Sequence, residues 1–410
     1  MQSPAPADLV ARLSAHAQIA RLLDALAEVP SAHLVGGAVR DVLLERDGDR
    51  GNLDLDVVVE GDAAEVAREA AERLRGAVRL HDRFNTATVT AADLTFDVAG
   101  ARRESYERPG ALPEVEAATL DEDLARRDFS VNAMAVALAG PEPGSLRAVA
   151  GALEDLEAHR LRVLHDASFR DDPTRLLRLV RYAGRLGFTI EARTHELAEQ
   201  AIAEGVLRTV SGPRIGAELA LTLREPEGVK ALELAAKLGL DRALHPGFEA
   251  RPDLLASALE LLPGDARPEV LGLAVCATGF ERADLREWLD ELAWPAPERD
   301  AVIAAAFEAA DVARALQAAE RPSQLAAAVR GKPPELVAHA GALGPREAAT
   351  HALTAAALTL EISGDDVVAA GVPEGPDVGR ALAAALDAKL DGEARGREAE
   401  LAAALRALKR

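Results

Sequence analysis

Two aspartates, Asp54 and Asp56, occupy alternate positions in an otherwise apolar segment over residues 53–59. Alternate residues of a β-strand project from the same face, so this spacing would bring the two carboxylates together. Like charges on one face are costly unless a cation lies between them. Carboxylate oxygens are ligands that Mg²⁺ prefers, and Mg²⁺ commonly bridges a protein to substrate phosphates. Taken alone, however, the segment fits an edge strand with a solvated acidic face better than a magnesium site.

A pair of glycines, Gly36 and Gly37, lies upstream in the segment LVGGAVRD, which also contains Arg40. Glycine lets the backbone approach a phosphate closely, and its N–H groups can cradle the anion. A helix beginning after Gly37 would direct its N-terminus at the phosphate, within reach of Arg40. A glycine pair alone also fits a simple strand-to-helix turn. Combined with the Asp-x-Asp segment, it resembles the nucleotidyltransferase superfamily typified by DNA polymerase β.

A third aspartate, Asp97, falls on a predicted strand over residues 94–99, which we expect to pair with a strand over 87–90. It resembles the position that supplies a third acidic group in that superfamily. An ordinary aspartate near the end of a strand would give the same pattern.

The segment RRDFSVNA contains Arg127, Asp128 and Asn132. Residues four apart share one face of a helix, so Asp128 and Asn132 would lie side by side there. Together with Arg127 they offer donors and acceptors suited to a ribose and a phosphate. The alternative is a structural helix start with Asp128 in its first turn.

The segment DDPTRLLRLVRYAGR predicts a helix beginning near Pro173. At about 100° per residue, four arginines fall within one third of its circumference: Arg175, Arg178, Arg181 and Arg185. Within the helix, only Asp171 is spaced to pair with this stripe. In an acidic protein, that scarcity of partners favours an anionic ligand over a solvated charged face.

Two residues of this segment, Asp172 and Arg175, predict a way to select a nucleobase. A fixed carboxylate accepts a hydrogen bond and a fixed guanidinium donates. Cytosine and adenine each offer an amino donor beside an unprotonated ring nitrogen, whereas uracil and guanine offer a carbonyl and a ring N–H. One such pair could accept CTP and ATP and reject UTP and GTP, because mismatched polar groups would be left unpaired.

Together the segments LVGGAVRD, LDLD, RRDFSVNA and DDPTR resemble the class II tRNA nucleotidyltransferase and bacterial poly(A) polymerase family, closely over about residues 30–225. The resemblance implies a template-independent enzyme that adds or repairs the 3′-terminal CCA of tRNA with CTP and ATP. It assigns Mg²⁺ to Asp54 and Asp56. It assigns nucleotide binding to a larger set: Gly36, Gly37, Arg40, Arg127, Asp128, Asn132, Asp172, Arg175, Arg178 and Arg181.

Several alternatives stay open on the sequence. An A-adding enzyme, a CC-adding enzyme and a poly(A) polymerase share these motifs. The segment 102–118 corresponds to the family's flexible loop, and its retained length favours full CCA addition over CC addition. A non-catalytic RNA- or nucleotide-binding module is the alternative of another class, although an intact acidic pair argues against it.

The composition narrows the remaining possibilities. The chain has 410 residues, with 47 basic and 68 acidic side chains and a net charge of −21. This balance argues against a general nucleic-acid coat or a membrane-surface protein. Residues 160–185 nevertheless contain seven arginines against three acids, which predicts one local cationic groove. The single Cys276 excludes a disulfide framework and predicts a cytoplasmic protein, and no segment is long and apolar enough to span a membrane.

The pattern of elements predicts two kinds of structure. Strand and helix signals alternate in the first part and strand signals nearly vanish after about residue 165. We therefore expect an α/β nucleotidyltransferase head (DNA polymerase β-like) followed by an all-α region. The expected boundaries are a head over residues 1–150, a neck over 151–225, a body over 226–345 and a tail over 346–410. A loop is expected over 101–118, where prolines and a glycine cluster, with mostly helix after Leu120.

Overall fold

A computed structural model describes residues 3–45, 54–81, 85–356 and 358–408. Leu53, the first residue of the predicted acidic strand, lies outside this range. The chain divides into two compact units. The α/β unit comprises residues 1–211 and 238–243, and the helical unit comprises residues 212–237 and 244–410. The four-part division into head, neck, body and tail stays a prediction.

The α/β unit begins with two helices and then alternates strands with helices. Its elements are α1 (Pro6–Ala15), α2 (Ala17–Leu26), β1 (His33–Val35), α3 (Gly37–Leu43), β2 (Asp56–Val59), α4 (Ala63–Leu74), β3 (Ala77–His81), β4 (Thr86–Ala91), β5 (Leu94–Gly100), β6 (Arg102–Ser105), β7 (Glu114–Ala117), α5 (Leu120–Ala125), β8 (Met134–Ala137), β9 (Leu146–Ala148), α6 (Ala152–Glu157), β10 (Arg160–Leu161), α7 (Ser168–Asp171), α8 (Arg175–Leu186), β11 (Thr189–Ile190) and α9 (Ala192–Ala203). Single 3₁₀ turns occur at Ser130–Asn132 and Val206–Thr209.

Within the described residues, seven strands form one mixed sheet in the order β3-β4-β5-β2-β1-β8-β9. Strands β2 and β5 are parallel, and the other neighbours are antiparallel. Valines at 57–59 fill β2 and are buried, as expected for a central strand. The predicted β4–β5 pair is confirmed. The mixed sheet agrees with the expected α/β head.

Two local predictions were wrong. The segment 101–118 is not a loop throughout, because β6 and β7 pair as an antiparallel hairpin. Its prolines and Gly110 lie in the connection between the strands, where Gly110 adopts a φ of 69°. The segment around Asp128 is not an α-helix either, because the Ser130 N–H donates to the Arg162 carbonyl and Phe129 bridges to Val163. These tertiary partners replace the hydrogen bonds that a helix would have made.

From Gly212 onward, every named element in the described residues is a helix. These are α10 (Gly212–Arg224), α11 (Gly228–Leu238), α12 (Leu240–Leu244), α13 (Pro252–Leu259), α14 (Pro268–Cys276), α15 (Arg282–Glu291), α16 (Ala296–Ala318), α17 (Pro322–Val329), α18 (Pro334–Ala342), α19 (Arg346–Ala356), α20 (Gly364–Ala369), α21 (Pro376–Leu390) and α22 (Arg397–Ala407). Several begin with proline, whose fixed φ and missing N–H suit the first helical position. The expected all-α region is confirmed.

Within the described residues, the helical unit has two separate apolar cores. The larger one is built mainly from α10 and α13–α19, and the smaller from α20–α22 with the residues that precede and follow α20. No helix in the described residues combines the length and the apolar character needed to cross a membrane.

Candidate active site

Three aspartates converge at neighbouring strands of the sheet. Asp56 begins β2 and lies in register with Asp97 on the adjacent parallel strand β5. Residues in register on adjacent strands project to the same face. Asp54 precedes Asp56 by two residues and is exposed, and Asp97 is exposed too. The Thr88 hydroxyl donates to Asp97 Oδ1 over 2.6 Å. The structure thus brings together the three acidic residues predicted from the sequence.

The surroundings of Asp56 suit a divalent cation. Burial, followed by repulsion from Asp54 and Asp97, raises the pKa of Asp56 to about 6, despite the opposing charges of Arg127 and Arg178. A bound cation would relieve this repulsion. Among the described residues, no three His, Cys, Asp or Glu side chains enclose a metal position. Carboxylate oxygens suit hard divalent cations, which complete their coordination with water or substrate oxygens.

The glycine turn lies beside this acidic cluster. As predicted, a helix begins at Gly37, and Gly36 precedes it with a φ of 75°. A Cβ at Gly36 would lie 3.0 Å from Arg127 Nη1. Position 36 therefore requires glycine for both its backbone angle and this close approach. The Arg127 guanidinium lies directly against the turn.

Arg40 has a different environment from the one expected. Its side chain is only 2% exposed. Its Nε and Nη2 donate to both carboxylate oxygens of Asp41, and its Nη1 donates to Asn132 Oδ1 over 2.5 Å. Arg40 therefore ties the helix after the glycine turn to the segment that carries Asn132. A contact with triphosphate stays a prediction.

Asp128 and Asn132 contact each other although they are not on an α-helix. Asn132 Nδ2 donates to Asp128 Oδ1 over 3.0 Å, and Arg178 donates to Asp128 Oδ2 through Nε and Nη2. Burial alone would raise the pKa of Asp128. The Arg178 charge and the hydrogen bonds from Asn132, Arg178 and the Phe129 N–H outweigh burial and lower this pKa to about 2. Asp128 is therefore ionised at neutral pH and fixes Arg178.

A buried carboxylate that the sequence analysis missed, Asp123, holds two arginines. It accepts from Arg126 Nε and Nη2 through one oxygen and from Arg127 Nη2 through the other. The spacings of three and four residues along α5 could have revealed both pairs. Arg127 Nε is buried and has no hydrogen-bond partner among the described residues. A buried charged donor without an acceptor is costly, so this atom is poised for an anionic ligand.

The base-selecting pair predicted from the sequence lies at the start of α8. Arg175 is buried and donates to Ser168 Oγ over 2.6 Å and to the Arg126 carbonyl over 2.7 Å. Asp172 accepts from the Thr174 N–H and hydroxyl, and the helix begins at Arg175, after the predicted Pro173. The two side chains are thus fixed by protein partners. Their role in base selection stays a prediction.

The arginine stripe of α8 has partners both outside and within the helix. Arg178 pairs with Asp128. The ring of Tyr182 lies under three guanidinium groups, with carbon-to-centroid distances of 5.7 Å for Arg40, 5.4 Å for Arg178 and 4.8 Å for Arg181. Cations over an aromatic face are attracted by its negative potential. Tyr182 therefore gathers these arginines, and no sequence signal distinguished it from a core aromatic residue.

A cleft of about 260 Å³ lies between the β6–β7 hairpin, α5 and the segment 165–175. On the hairpin side, the Tyr106 hydroxyl donates to Glu104 Oε2, and Arg126 Nη1 donates to Glu104 Oε1 over 2.9 Å. Burial, followed by the Glu104 charge, raises the pKa of Tyr106, so its hydroxyl stays protonated. The hairpin is thereby tied to Arg126, whose carbonyl accepts from Arg175.

The chain is similar to several known proteins. Residues 32–162 match the family model described as the poly A polymerase head domain. An A-adding tRNA nucleotidyltransferase from Geobacter sulfurreducens is 35% identical over 92% of the chain, but the chain spans only 45% of that protein's length. A CC-adding tRNA nucleotidyltransferase from Deinococcus radiodurans is 35% identical over 90% of the chain and 87% of its own length. The solved structure of the Thermotoga maritima CCA-adding enzyme complexed with tRNA is 29% identical, with a TM-score of 0.75 and 98% of both chains covered.

Proposed function

The chain belongs to the tRNA nucleotidyltransferase family, and we propose that it transfers nucleotides from CTP and ATP to the 3′ end of tRNA without a template. The observation that carries the proposal is the position of the carboxylate cluster beside a network of buried arginines. Arg127 lies against the glycine turn, and its charge acts to lower the pKa of Asp56. Carboxylates that can bind a cation and arginines that can bind an anion therefore share one site. Phosphoryl transfer depends on that combination.

The nucleotidyltransferases of this family generally use divalent metal ions, and we propose Mg²⁺ held by Asp54 and Asp56, with Asp97 as the third acidic group. The ion would supply charge stabilisation at the reacting phosphate and lower the pKa of the primer hydroxyl. Asp56 must be deprotonated for this, and its raised pKa of about 6 leaves it ionised near neutral pH. Asp97 stands next to Asp56 and is oriented by Thr88.

The buried network would bind and orient the triphosphate and ribose. Arg127 offers its Nε, while Asp128 fixes Arg178, and Asn132 links Asp128 to Arg40. These fixed donors need no reorganisation when the nucleotide arrives, which is the source of electrostatic catalysis. Asp172 and Arg175 would then read the base.

We favour complete CCA addition. The relatives include A-adding and CC-adding enzymes, so A-only, CC-only or repeated adenylate addition remain outcomes that an experiment must separate. The β6–β7 hairpin is connected to Arg175 through Arg126, which fits a site that handles two bases. A tRNA substrate and a single cysteine favour a cytoplasmic location.

The test uses tRNA transcripts that end before CCA, after C and after CC, each incubated with Mg²⁺ and one labelled NTP or a CTP–ATP mixture. We expect CTP on the first two transcripts, ATP on the third, and a complete CCA end from the mixture. ATP on the CC-ending transcript alone would identify an A-adding enzyme. Long adenylate tails would identify a poly(A) polymerase, and no incorporation of CTP or ATP would overturn the proposal.

A further inference from the structure

A fully buried carboxylate, Asp155 of α6, lies close behind the candidate site. It accepts from Ser130 Oγ over 2.7 Å, from Arg160 Nε over 2.8 Å and from Arg162 Nη2 over 2.7 Å. The predicted head–neck boundary at residue 150 separates Asp155 from Ser130 in sequence. Both belong to the same compact unit in the structure.

Ser130 begins the 3₁₀ turn that carries Asn132. Its hydroxyl is buried and donates to Asp155, while its N–H donates to the Arg162 carbonyl over 2.9 Å. The carbonyl of Ser130 accepts from the Ala133 N–H over 3.0 Å, which closes the turn. Side chain and backbone thus hold this one residue against α6 and against Arg162, which follows β10.

The turn matters because of Asn132, two residues further on. Asn132 accepts from Arg40 and donates to Asp128, so a single amide links the helix after the glycine turn to the carboxylate that fixes Arg178. A 3₁₀ turn of three residues has few hydrogen bonds of its own and takes its position from its attachments. A small shift of this amide would disturb two arginines at once.

We infer that Asp155 is a positioning residue that acts through the Ser130 hydroxyl to fix Asn132 and, with it, the nucleotide-binding network. The inference rests on the proposed function. The hydrogen bonds of Asp155 go to Ser130, Arg160 and Arg162, and none of these three residues was assigned to the site from the sequence. Its effect on the site must therefore pass through the turn. We assign the pair with Arg160 of β10 to stability alone. Arg162 follows β10, and its carbonyl also accepts from the Ser130 N–H.

This division of roles allows a matched test in the full chain. Ser130→Ala removes the link to the turn, whereas Arg160→Gln removes one charged partner of the same carboxylate and leaves the turn attached. Ser130→Thr restores the hydroxyl. The measurements are kcat and KM for CTP and ATP on tRNA transcripts, equilibrium binding of CTP with Mg²⁺, and the thermal unfolding midpoint.

We expect Ser130→Ala to raise KM and the CTP dissociation constant about fivefold, which corresponds to the loss of one hydrogen bond, with kcat within about twofold. Arg160→Gln should lower the unfolding midpoint at least as much as Ser130→Ala does, yet it should leave KM unchanged. Ser130→Thr should bind CTP more tightly than Ser130→Ala. Equal KM for Ser130→Ala and the wild type, or equal rises in both variants, would overturn the inference. A wild type without incorporation would overturn the proposed function, and CTP binding would still decide the role of Asp155.

Discussion

Buried charges are arranged differently in the two units. In the helical unit two fully buried carboxylates close on their own neighbourhood. Glu335 pairs with Arg267 and also accepts that residue's N–H, and Glu400 pairs with Lys389 and two backbone N–H groups. In the α/β unit, by contrast, one buried polar group contacts several charged residues. Asp123 holds two arginines, and a single amide connects Arg40 to the carboxylate of Asp128.

The difference separates stabilising charges from functional ones. A closed pair leaves nothing for a ligand to satisfy, so its loss should affect folding alone. The shared network includes Arg127, whose Nε is buried without a hydrogen-bond partner among the described residues. Beside it lies the carboxylate of Asp56, which is repelled by two neighbouring aspartates. Perturbed groups of this kind cluster at functional sites.

The largest expected effect is the loss of nucleotide incorporation when Asp56 is substituted. Asp56→Asn should lower nucleotide incorporation by at least about a thousandfold, because the metal loses an anionic ligand. Burial and the neighbouring carboxylates already disfavour the ionised form, so the unfolding midpoint at pH 7 without divalent cations should not fall. Labelled-CTP incorporation and thermal unfolding measure the two effects.

The control for that change is Glu269→Gln, which removes a buried carboxylate of the helical unit that pairs with Arg224. It should lower the unfolding midpoint and retain incorporation. Normal incorporation by Asp56→Asn would remove the metal assignment.

A smaller effect is expected from the base-selecting pair. Asp172→Ala or Arg175→Ala should reduce the preference for CTP and ATP over UTP and GTP by about tenfold to a hundredfold, since polar discrimination depends on groups that the wrong base leaves unpaired. Competition between labelled nucleotides on one transcript measures the ratio. Arg185→Gln, on the same stripe of α8 but outside the assigned set, is the matched control. Unchanged selectivity in both test variants would refute the base-selection role.

The smallest effect concerns acid stability. Because Asp128 has a pKa of about 2 in the folded state and about 3.9 when unfolded, the native state binds fewer protons, and stability falls as pH falls. About 2 kcal/mol should be lost between roughly pH 5 and pH 2. Asp128→Asn should be less stable at pH 7 and lose less across that range. Urea unfolding at successive pH values measures this, and parallel curves would contradict the assignment.

Sequence patterns predicted those parts of the site whose geometry depends on residues close together in the chain. The alternation of Asp54 and Asp56 and the helix start at Gly37 follow from the neighbouring residues alone. The contact between Asp128 and Asn132 was also predicted, but from the wrong element, because a spacing of four residues does not distinguish a helix from a compact turn. The partner segment that decides the matter, at Arg162 and Val163, lies more than thirty residues away.

The features that the sequence did not predict depend on contacts between residues that are distant along the chain. Arg178 lacks an acid within its helix and finds one fifty residues earlier, at Asp128. Arg40 was expected to lie within reach of the phosphates, and in the structure it is buried and donates to Asp41 and Asn132. The β6–β7 hairpin was missed because its prolines and Gly110 dominate the local pattern, although they occupy only the connection between the strands.

The most direct test of the central claim is equilibrium binding of CTP, with Mg²⁺, to the wild type, Asp128→Asn and Glu335→Gln. Both substitutions remove a buried charge that pairs with an arginine, so both should lower the unfolding midpoint. Only Asp128→Asn should weaken CTP binding, by about tenfold or more, because it releases Arg178 and Asn132. Equal CTP affinity in the two variants would show that the shared network is no more than another set of stabilising pairs.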